Sequence, residues 1–174
     1  MVIKAALDVV NQMQSAGVID RYAIGGAVGA TFYLEPAATV DLDIFAELPA
    51  TQGRLISLQP IYEYLSRRGY TASGEYMVIA EWPVQFLVPA SPLEVEAIAE
   101  AIRTELAETP TWVMTAEHLV AIALQTGRLK DHNRILQFLE LKKIDTDKLM
   151  QILDRHKLVL KWKQFEARYL HGRH

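Results

Sequence analysis

The sequence has 174 residues, of which 51% are apolar, a formal net charge of −3 and no cysteine. This length suits one domain with a sizeable core. The lack of cysteine excludes disulfides and thiolate zinc sites, and the slight negative charge argues against broad electrostatic binding of nucleic acid. No apolar run approaches about 18 residues and the N-terminus lacks a signal-peptide layout, so we expect no membrane span and a soluble, cytoplasmic protein.

In the first half of the chain, helical and strand patterns alternate. Apolar residues at helical spacing predict the helices, and alternating polar and apolar residues predict the strands. The predicted helices cover 2–15, 27–33 and 55–69, and the predicted strands cover 18–24, 40–45, 75–80 and 83–88, the last two forming a hairpin around Glu81-Trp82.

The second half is predicted to be mainly helical. Ser91 as cap, Pro92 at the first helical position and Glu94 three residues after the cap predict a helix that runs to about residue 108. A short strand over 112–114 is followed only by helices, predicted over 116–126, 130–141, 146–155 and 158–170. We therefore expect a mixed core over 1–114 and a helical region over 115–174 packed on it.

Two aspartates stand out in the alternating strand. Asp41 and Asp43 alternate with Val40, Leu42 and Ile44, so both acids are predicted to project from one face, with Cα atoms roughly 6–7 Å apart. Like charges so placed repel each other unless a cation lies between them. Carboxylate oxygens are ligands that Mg²⁺ prefers. Alternatively, the pair lies on a solvated strand face.

A glycine pair precedes the aspartates. Gly25 and Gly26 allow a tight turn and close approach of a ligand, and the following helix would offer free N–H groups to an anion. The simpler alternative is an ordinary turn. This order of elements predicts a site for Mg²⁺ and a nucleotide: first the glycine pair, then a short helix, then the Asp-x-Asp strand.

This stretch resembles the nucleotidyltransferase superfamily, which includes polymerase β, minimal nucleotidyltransferase domains and bacterial nucleotidyltransferase-type toxins. The resemblance implies an α/β fold, with a small mixed sheet flanked by helices and a C-terminal helical region. It also implies Mg²⁺-dependent transfer of a nucleoside monophosphate from an NTP to a hydroxyl or phosphate acceptor, with one or two metal ions. Asp41 and Asp43 would be catalytic and hold the metal, while Gly25 and Gly26 would bind the triphosphate.

The third carboxylate that such enzymes commonly carry is missing at its matching position. The strand at 83–88 should supply it, but the residue there is Gln85, which cannot take up a proton at neutral pH. Glu75 and Glu81 are conceivable substitutes, although neither occupies the matching place.

Basic positions of the relatives are only partly retained. Ala37 and Ala123 stand where a basic residue and a lysine are usual. Thr39, Arg128, Lys130 and Asp131 match the pattern. Arg128 and Lys130 would help to bind the nucleotide, or they complement a helix dipole and pair with Asp131.

Two functions therefore remain open. The first is an active nucleotidyltransferase whose acceptor is a small molecule, a protein or a tRNA. The second is a degenerate member that binds a nucleotide or only a partner protein, for example as half of a toxin–antitoxin pair. His118, His132 and His156 are interpreted as scattered structural histidines rather than metal ligands.

Overall fold

A seven-stranded mixed sheet with helices on both faces organises the chain in a computed structural model, which describes residues 2–35, 41–50 and 56–171. The predicted α/β fold is confirmed. The strands are β1 (Arg21–Ile24), β2 (Leu42–Glu47), β3 (Thr71–Ser73), β4 (Tyr76–Ile79), β5 (Trp82–Leu87), β6 (Ile102–Leu106) and β7 (Thr109–Val113). The helices are α1 (Val2–Ser15), α2 (Gly26–Ala30), α3 (Gln59–Arg67), α4 (Pro92–Ala99), α5 (Ala116–Thr126), α6 (Leu129–Glu140), α7 (Thr146–Arg155) and α8 (Val159–Tyr169).

Strand β2 lies in the middle of the sheet, whose order is β3-β4-β5-β2-β1-β7-β6. It pairs antiparallel with β1 and parallel with β5, and β1 in turn pairs parallel with β7. A parallel pair needs a long crossover, and the segment containing α3 and the β3–β4 hairpin provides it between β2 and β5. The outer strands are added by the antiparallel pairs β3–β4, β4–β5 and β6–β7. This topology fixes β2 and β5 side by side.

The two faces of the sheet bury two separate apolar clusters. Leu42 and Ile44 of β2 are fully buried on the face that packs against α1 and α3. Phe45 points to the opposite face, which α4 and the C-terminal helices cover. This alternation along β2 is the one that the sequence predicts. It leaves the acids on the same side as Phe45, beside the C-terminal helices.

The C-terminal helices begin and end near their predicted bounds. Helices α5 and α7 match the predicted ranges, and α6 and α8 differ by one residue at each end. Thr115 Oγ1 accepts a hydrogen bond from His118 N, Asp145 Oδ1 accepts one from Lys148 N, and Gly127 ends α5 with φ of +71°. Contacts of this kind are typical of helix termini. In the described ranges no helix is both long and apolar enough to cross a bilayer.

The predicted helix over 91–108 is wrong in its second half. Ser91 caps α4 as expected, but α4 ends at Ala99 and a hairpin of β6 and β7 follows. Ala107 and Glu108 form its two-residue turn with φ of +50° and +59°. Such turns normally carry glycine or asparagine, so this one gives no recognisable sequence signal. The burial of alternate β7 residues, including Thr109 and Thr111, outweighs the local helix propensity.

Smaller differences concern short or edge elements. Strand β3 is absent from the predictions because its three exposed residues show no alternation. Helix α3 begins at Gln59, with Pro60 in its first turn, rather than at 55, which lies outside the described residues. The helix predicted over 27–33 is the shorter α2. The division of the chain at residue 114 stays a prediction.

Two of the histidines interpreted as scattered come together on Glu96. His118 Nε2 lies 3.1 Å from Glu96 Oε1, and His156 Nε2 lies 2.6 Å from Oε2. Arg155 donates to both oxygens. These hydrogen bonds, that from Arg155 most strongly, lower the pKa of Glu96 to about 2. The cluster ties α4 to α5 and α7, so its role in the described structure is to hold the helices together.

Replacing Glu96 with Gln should lower the free energy of unfolding at pH 7 by roughly 1–3 kcal/mol, because charge-assisted hydrogen bonds are lost. A carboxylate with a depressed pKa stabilises the fold above its unfolded value of 4.5, and that stabilisation is lost as the pH falls toward about 2. The difference between the wild type and Glu96→Gln should therefore shrink over this window in denaturant titrations.

The matched control is Glu100→Gln, at an exposed acid one turn further along the chain. It should leave the free energy of unfolding nearly unchanged. An equal loss in both variants would contradict the role assigned to Glu96.

Candidate functional site

The candidate site lies where β2 and β5 run side by side. Asp43 of β2 is the direct register partner of Gln85 on β5, so both side chains project from the same face. Asp41 immediately precedes β2, and its negative charge raises the pKa of both Asp43 and Tyr76. The carboxylates of Asp41 and Asp43 are thus close enough to repel each other where β2 begins.

Gly26 lies directly against Asp43. Its φ is +57°, and a Cβ atom there would lie 1.9 Å from Asp43 Oδ2. The preceding Gly25 donates its N–H to the main-chain oxygen of Asp43 at 3.1 Å. Glycine is needed at position 26 because it adopts the left-handed conformation without strain and has no Cβ atom to collide with Asp43. The glycine pair and the second aspartate therefore form one unit, although the chain separates them by more than a dozen residues.

The Asp43 carboxylate is held in an unfavourable environment. Its Oδ1 is buried and has no hydrogen-bond partner in the described part of the chain. Burial, with a further contribution from Asp41, raises the pKa of Asp43 to about 6. A buried charged oxygen without a partner is costly unless a cation or a donor reaches it. A cation or hydrogen-bond donor bound at this oxygen would therefore stabilise the folded protein.

Positive charge faces Asp43 from the first turns of α6. Arg134, Lys130 and Arg128, in decreasing order of effect, lower the pKa of Asp43 and partly offset its burial. We call these three residues the α6 cations. Two of them matched the sequence pattern. Arg134 was missed, since it follows Arg128 by six residues and no motif marks it.

Asp131 contacts two of the α6 cations, Arg128 and Arg134. Its carboxylate is 2% exposed and accepts hydrogen bonds from Arg128 N at 3.1 Å and Arg128 Nε at 2.7 Å. Arg134 Nη1 lies 3.9 Å from the other oxygen. The predicted pairing of Arg128 with Asp131 is therefore present, and it holds a guanidinium that is still 57% exposed at the start of α6.

Gln85 brings a more distant acid to the site. Its Nε2 donates to Glu75 Oε2 at 3.1 Å. Glu75 lies in the turn before β4 and is exposed, as is Glu81 in the turn before β5. Of the two acids considered as substitutes for the missing carboxylate, Glu75 is the one in contact with Gln85. The contact is a hydrogen bond that the amide nitrogen of Gln85 donates.

Comparison with known proteins identifies the fold. No family model and no curated protein sequence matches the chain. Among solved structures, the antibiotic-resistance factor ANT(2'')-Ia aligns over 99% of this chain and 100% of that one, at 15% identity and a TM-score of 0.46. An antigenic nucleotidyltransferase-like protein from Paracoccidioides brasiliensis aligns over 95% of this chain and 91% of that one, at 15% identity and a TM-score of 0.55. The chain has a nucleotidyltransferase-like fold. The resemblance stated from the sequence is thereby confirmed at the level of fold.

One departure from the sequence pattern can now be placed on the nucleotidyltransferase-like fold. Ala123 is 5% exposed within the apolar cluster beneath α5, where an ammonium group would lose its hydration. Ala37 and Thr39 lie outside the described residues. The structure thus gives a packing reason for one missing cation, and the role of Thr39 stays a prediction.

The donor set of the candidate site suits a hard cation. Asp41 and Asp43 offer carboxylate oxygens, one of them buried without a partner, and Gln85 adds an amide oxygen. Oxygen donors of this kind fit Mg²⁺ better than softer metals. Among the described residues, no group of three His, Cys, Asp or Glu side chains is arranged to hold a metal.

Proposed function

We propose that the protein transfers a nucleoside monophosphate from a Mg²⁺-bound NTP to a hydroxyl or phosphate acceptor. The observation that carries this proposal is the Asp43 carboxylate, whose Oδ1 is buried without a partner among the described residues, whose Oδ2 lies against Gly26, and whose pKa is raised by burial and by Asp41. The repulsion between the two carboxylates destabilises the fold, and a cation bound between them would remove that repulsion. The nucleotidyltransferase-like fold supports the same class of reaction.

Asp41 and Asp43 would hold the ion. When bound, Mg²⁺ supplies positive charge to the phosphate oxygens and orients the triphosphate. Gly26 has no side chain, so its backbone lies directly against the Asp43 carboxylate and would let a phosphate approach both. The acids and the glycine pair would act as one binding element.

The α6 cations would receive the rest of the triphosphate. Arg128 is exposed and held in place by Asp131, Lys130 is exposed on the same turn, and Arg134 lies deeper. Guanidinium and ammonium groups stabilise the negative charge that grows on the leaving pyrophosphate. In the transfer an acceptor oxygen forms a bond to the α-phosphorus, the bond from that phosphorus to the oxygen bridging to the β-phosphate breaks, and pyrophosphate leaves. A hydroxyl acceptor would release its proton to solvent water.

A second candidate is a binding protein with little or no transferase activity. It is favoured by Gln85, which stands beside Asp43 and cannot take the proton of an acceptor hydroxyl. Loss of a general base commonly costs roughly 10²–10⁴-fold in rate. Such a protein would retain the nucleotide site and act through a partner. A toxin–antitoxin pair is one form of this function, and growth arrest on expression without the partner would test it.

Incubation with each of the four labelled NTPs and Mg²⁺, with protein, tRNA and small-molecule acceptors, tests the proposal. The expected result is transfer of label that the double variant Asp41→Asn/Asp43→Asn abolishes. Melting curves with each NTP distinguish the alternatives. Stabilisation by nucleotide without any transfer would favour the binding protein, and the absence of any nucleotide effect would reject both functions.

A further inference from the structure

Charge is distributed unevenly along the chain. Residues 128–174 contain twelve lysines and arginines and six aspartates and glutamates, which gives this part a net charge of +6. Residues 1–127 contain six basic and fifteen acidic residues, a net charge of −9. The total of −3 is thus the sum of an acidic part and a strongly basic C-terminal part. Because salt screens charges over short distances, the total does not exclude binding of a polyanion to the C-terminal helices.

Helix α8 packs beside the start of α6. Lys161 Nζ donates to the main-chain oxygen of Gln125 at 2.7 Å, three residues before Arg128 caps α6. One turn further along α6, the ring centroids of His132 and Tyr169 are 5.2 Å apart, and Tyr169 Oη lies 3.0 Å from His132 Nδ1. Exposed groups around these contacts therefore belong to one continuous surface.

Three cations lie on this surface. The guanidinium of Arg128 is 57% exposed. Lys161 is half-buried and Arg168 is exposed, and their separation of seven residues places them on the same side of α8, about 10 Å apart along its axis. In the described part of the chain neither Lys161 nor Arg168 forms a salt bridge. The charges of both side chains can therefore act on a bound group.

The acids of α6 and α8 leave this surface positive. Asp131 is 2% exposed and bound by Arg128, so it offsets part of the charge of that arginine. Glu140 is the last residue of α6, about 18 Å along the helix from its start. Glu166 follows Lys161 by five residues, which places it about 140° away around α8. Of the acids on these two helices, only Asp131 therefore reduces the charge of the surface.

An aromatic side chain lies among the cations. Tyr169 is half-buried, and the guanidinium carbon of Arg168 lies 5.3 Å from the centre of its ring. Single-stranded nucleic acids bind to surfaces on which bases stack on aromatic rings while cations contact the phosphates. An acidic polypeptide would be attracted by the cations but has no base to stack on the ring. The combination therefore favours a nucleic acid over an acidic protein.

We infer that the surface formed by these three cations and Tyr169 binds single-stranded nucleic acid, and we call it the α6–α8 surface. The phosphates contact the cations, and one base stacks on Tyr169. This binding goes beyond the proposed transfer and requires neither an NTP nor Mg²⁺. RNA and DNA share the phosphates and the stacking bases, so the test uses both.

Fluorescence anisotropy with labelled single-stranded RNA and DNA of about ten nucleotides measures the binding. NTP and Mg²⁺ are left out, so that no triphosphate occupies Arg128. Three phosphate contacts predict that the logarithm of the affinity falls with the logarithm of the salt concentration with a slope of about −2. Tighter binding of RNA than of DNA, or the reverse, would identify which of the two the surface takes. The absence of binding of either at low salt would overturn the inference and leave the proposed function standing.

The double variant Lys161→Gln/Arg168→Gln should weaken binding roughly 10- to 100-fold at low salt and reduce the slope to about −0.7. Its matched control is Lys142→Gln/Lys143→Gln, which removes the same charge at exposed positions beyond the end of α6. The control should change the affinity less than about twofold, and melting curves check that both variants fold. Equal weakening in both variants would show general attraction by the basic region and would overturn the α6–α8 surface.

Stacking on Tyr169 has its own measurement. Tyr169→Ala should weaken binding roughly 5- to 150-fold, the range for loss of one stacked base. Tyr169→Phe loses the same hydrogen bond to His132 but keeps the ring, so it should bind like the wild type. Polyglutamate with a matching number of charges should bind more weakly than either oligonucleotide. Equal binding of polyglutamate, or unchanged affinity in a folded Tyr169→Ala protein, would contradict recognition of a nucleic acid.

Discussion

Gly26→Ala is expected to reduce nucleotide transfer by roughly 10²-fold or more, the effect of displacing a catalytic group by about 1 Å. The new Cβ would lie 1.9 Å from Asp43 Oδ2, so the carboxylate must move. Position 26 cannot relax easily, since its φ is +57° and the following residues are fixed in α2. Nucleotide affinity, measured by titration calorimetry with Mg²⁺ present, should fall together with the rate.

Gly17→Ala is the matched control. Gly17 also has a positive φ, of +73°, but a Cβ there meets no atom within 4 Å. Both variants incur the backbone strain of a left-handed residue, about 1–2 kcal/mol. Only Gly26→Ala disturbs Asp43. If both variants lost activity equally, the contact between Gly26 and Asp43 would not be part of the site.

Asp43→Asn is expected to abolish Mg²⁺-dependent nucleotide binding while stabilising the protein without ligand. The folded-state pKa of Asp43, about 6, lies above its ordinary value of 3.8. A carboxyl group whose pKa is raised destabilises the fold progressively as the pH rises from about 4 to about 6. Removal of the charge should therefore raise the free energy of unfolding at pH 7 by on the order of 1–3 kcal/mol.

The predicted increase in the free energy of unfolding should depend on pH, and this dependence can be measured. Below about pH 3 Asp43 is largely protonated in both states, so the wild type and Asp43→Asn should unfold with nearly equal free energies. The control is Asp20→Asn at an exposed acid before β1, which should change little at any pH. A variant that is less stable than the wild type at pH 7 would show that Asp43 supports the fold rather than a ligand.

Local pattern was sufficient to predict the central part of the site. The alternation of Asp41 and Asp43 with buried aliphatic residues defines the strand face without any tertiary information. The resemblance to nucleotidyltransferases predicted that Gly25 and Gly26 lie next to this strand, because the glycine pair, the helix and the Asp-x-Asp strand follow one another in the same order. The pairing of β5 with β2 placed Gln85 beside Asp43, where the resemblance assigns the third carboxylate.

Residues that act through tertiary contacts could not be predicted in the same way. Arg134 has an unremarkable helical context, and its charge matters only because it lowers the pKa of Asp43, a residue of a strand far away in the sequence. Glu96 joins His118 and His156 across three helices. Strand β6 and the turn that follows it were predicted as helix because the turn, Ala107-Glu108, lacks the residues that usually mark such turns.

The most direct test of the central claim is to map where a divalent cation binds. Fe²⁺ in place of Mg²⁺, with ascorbate and peroxide, cleaves the backbone close to the bound ion. With an NTP present we expect cuts near residues 25–26 and 41–43, and their loss in Asp41→Asn/Asp43→Asn. Cleavage confined to other parts of the chain, or the same pattern with and without the two aspartates, would contradict the account.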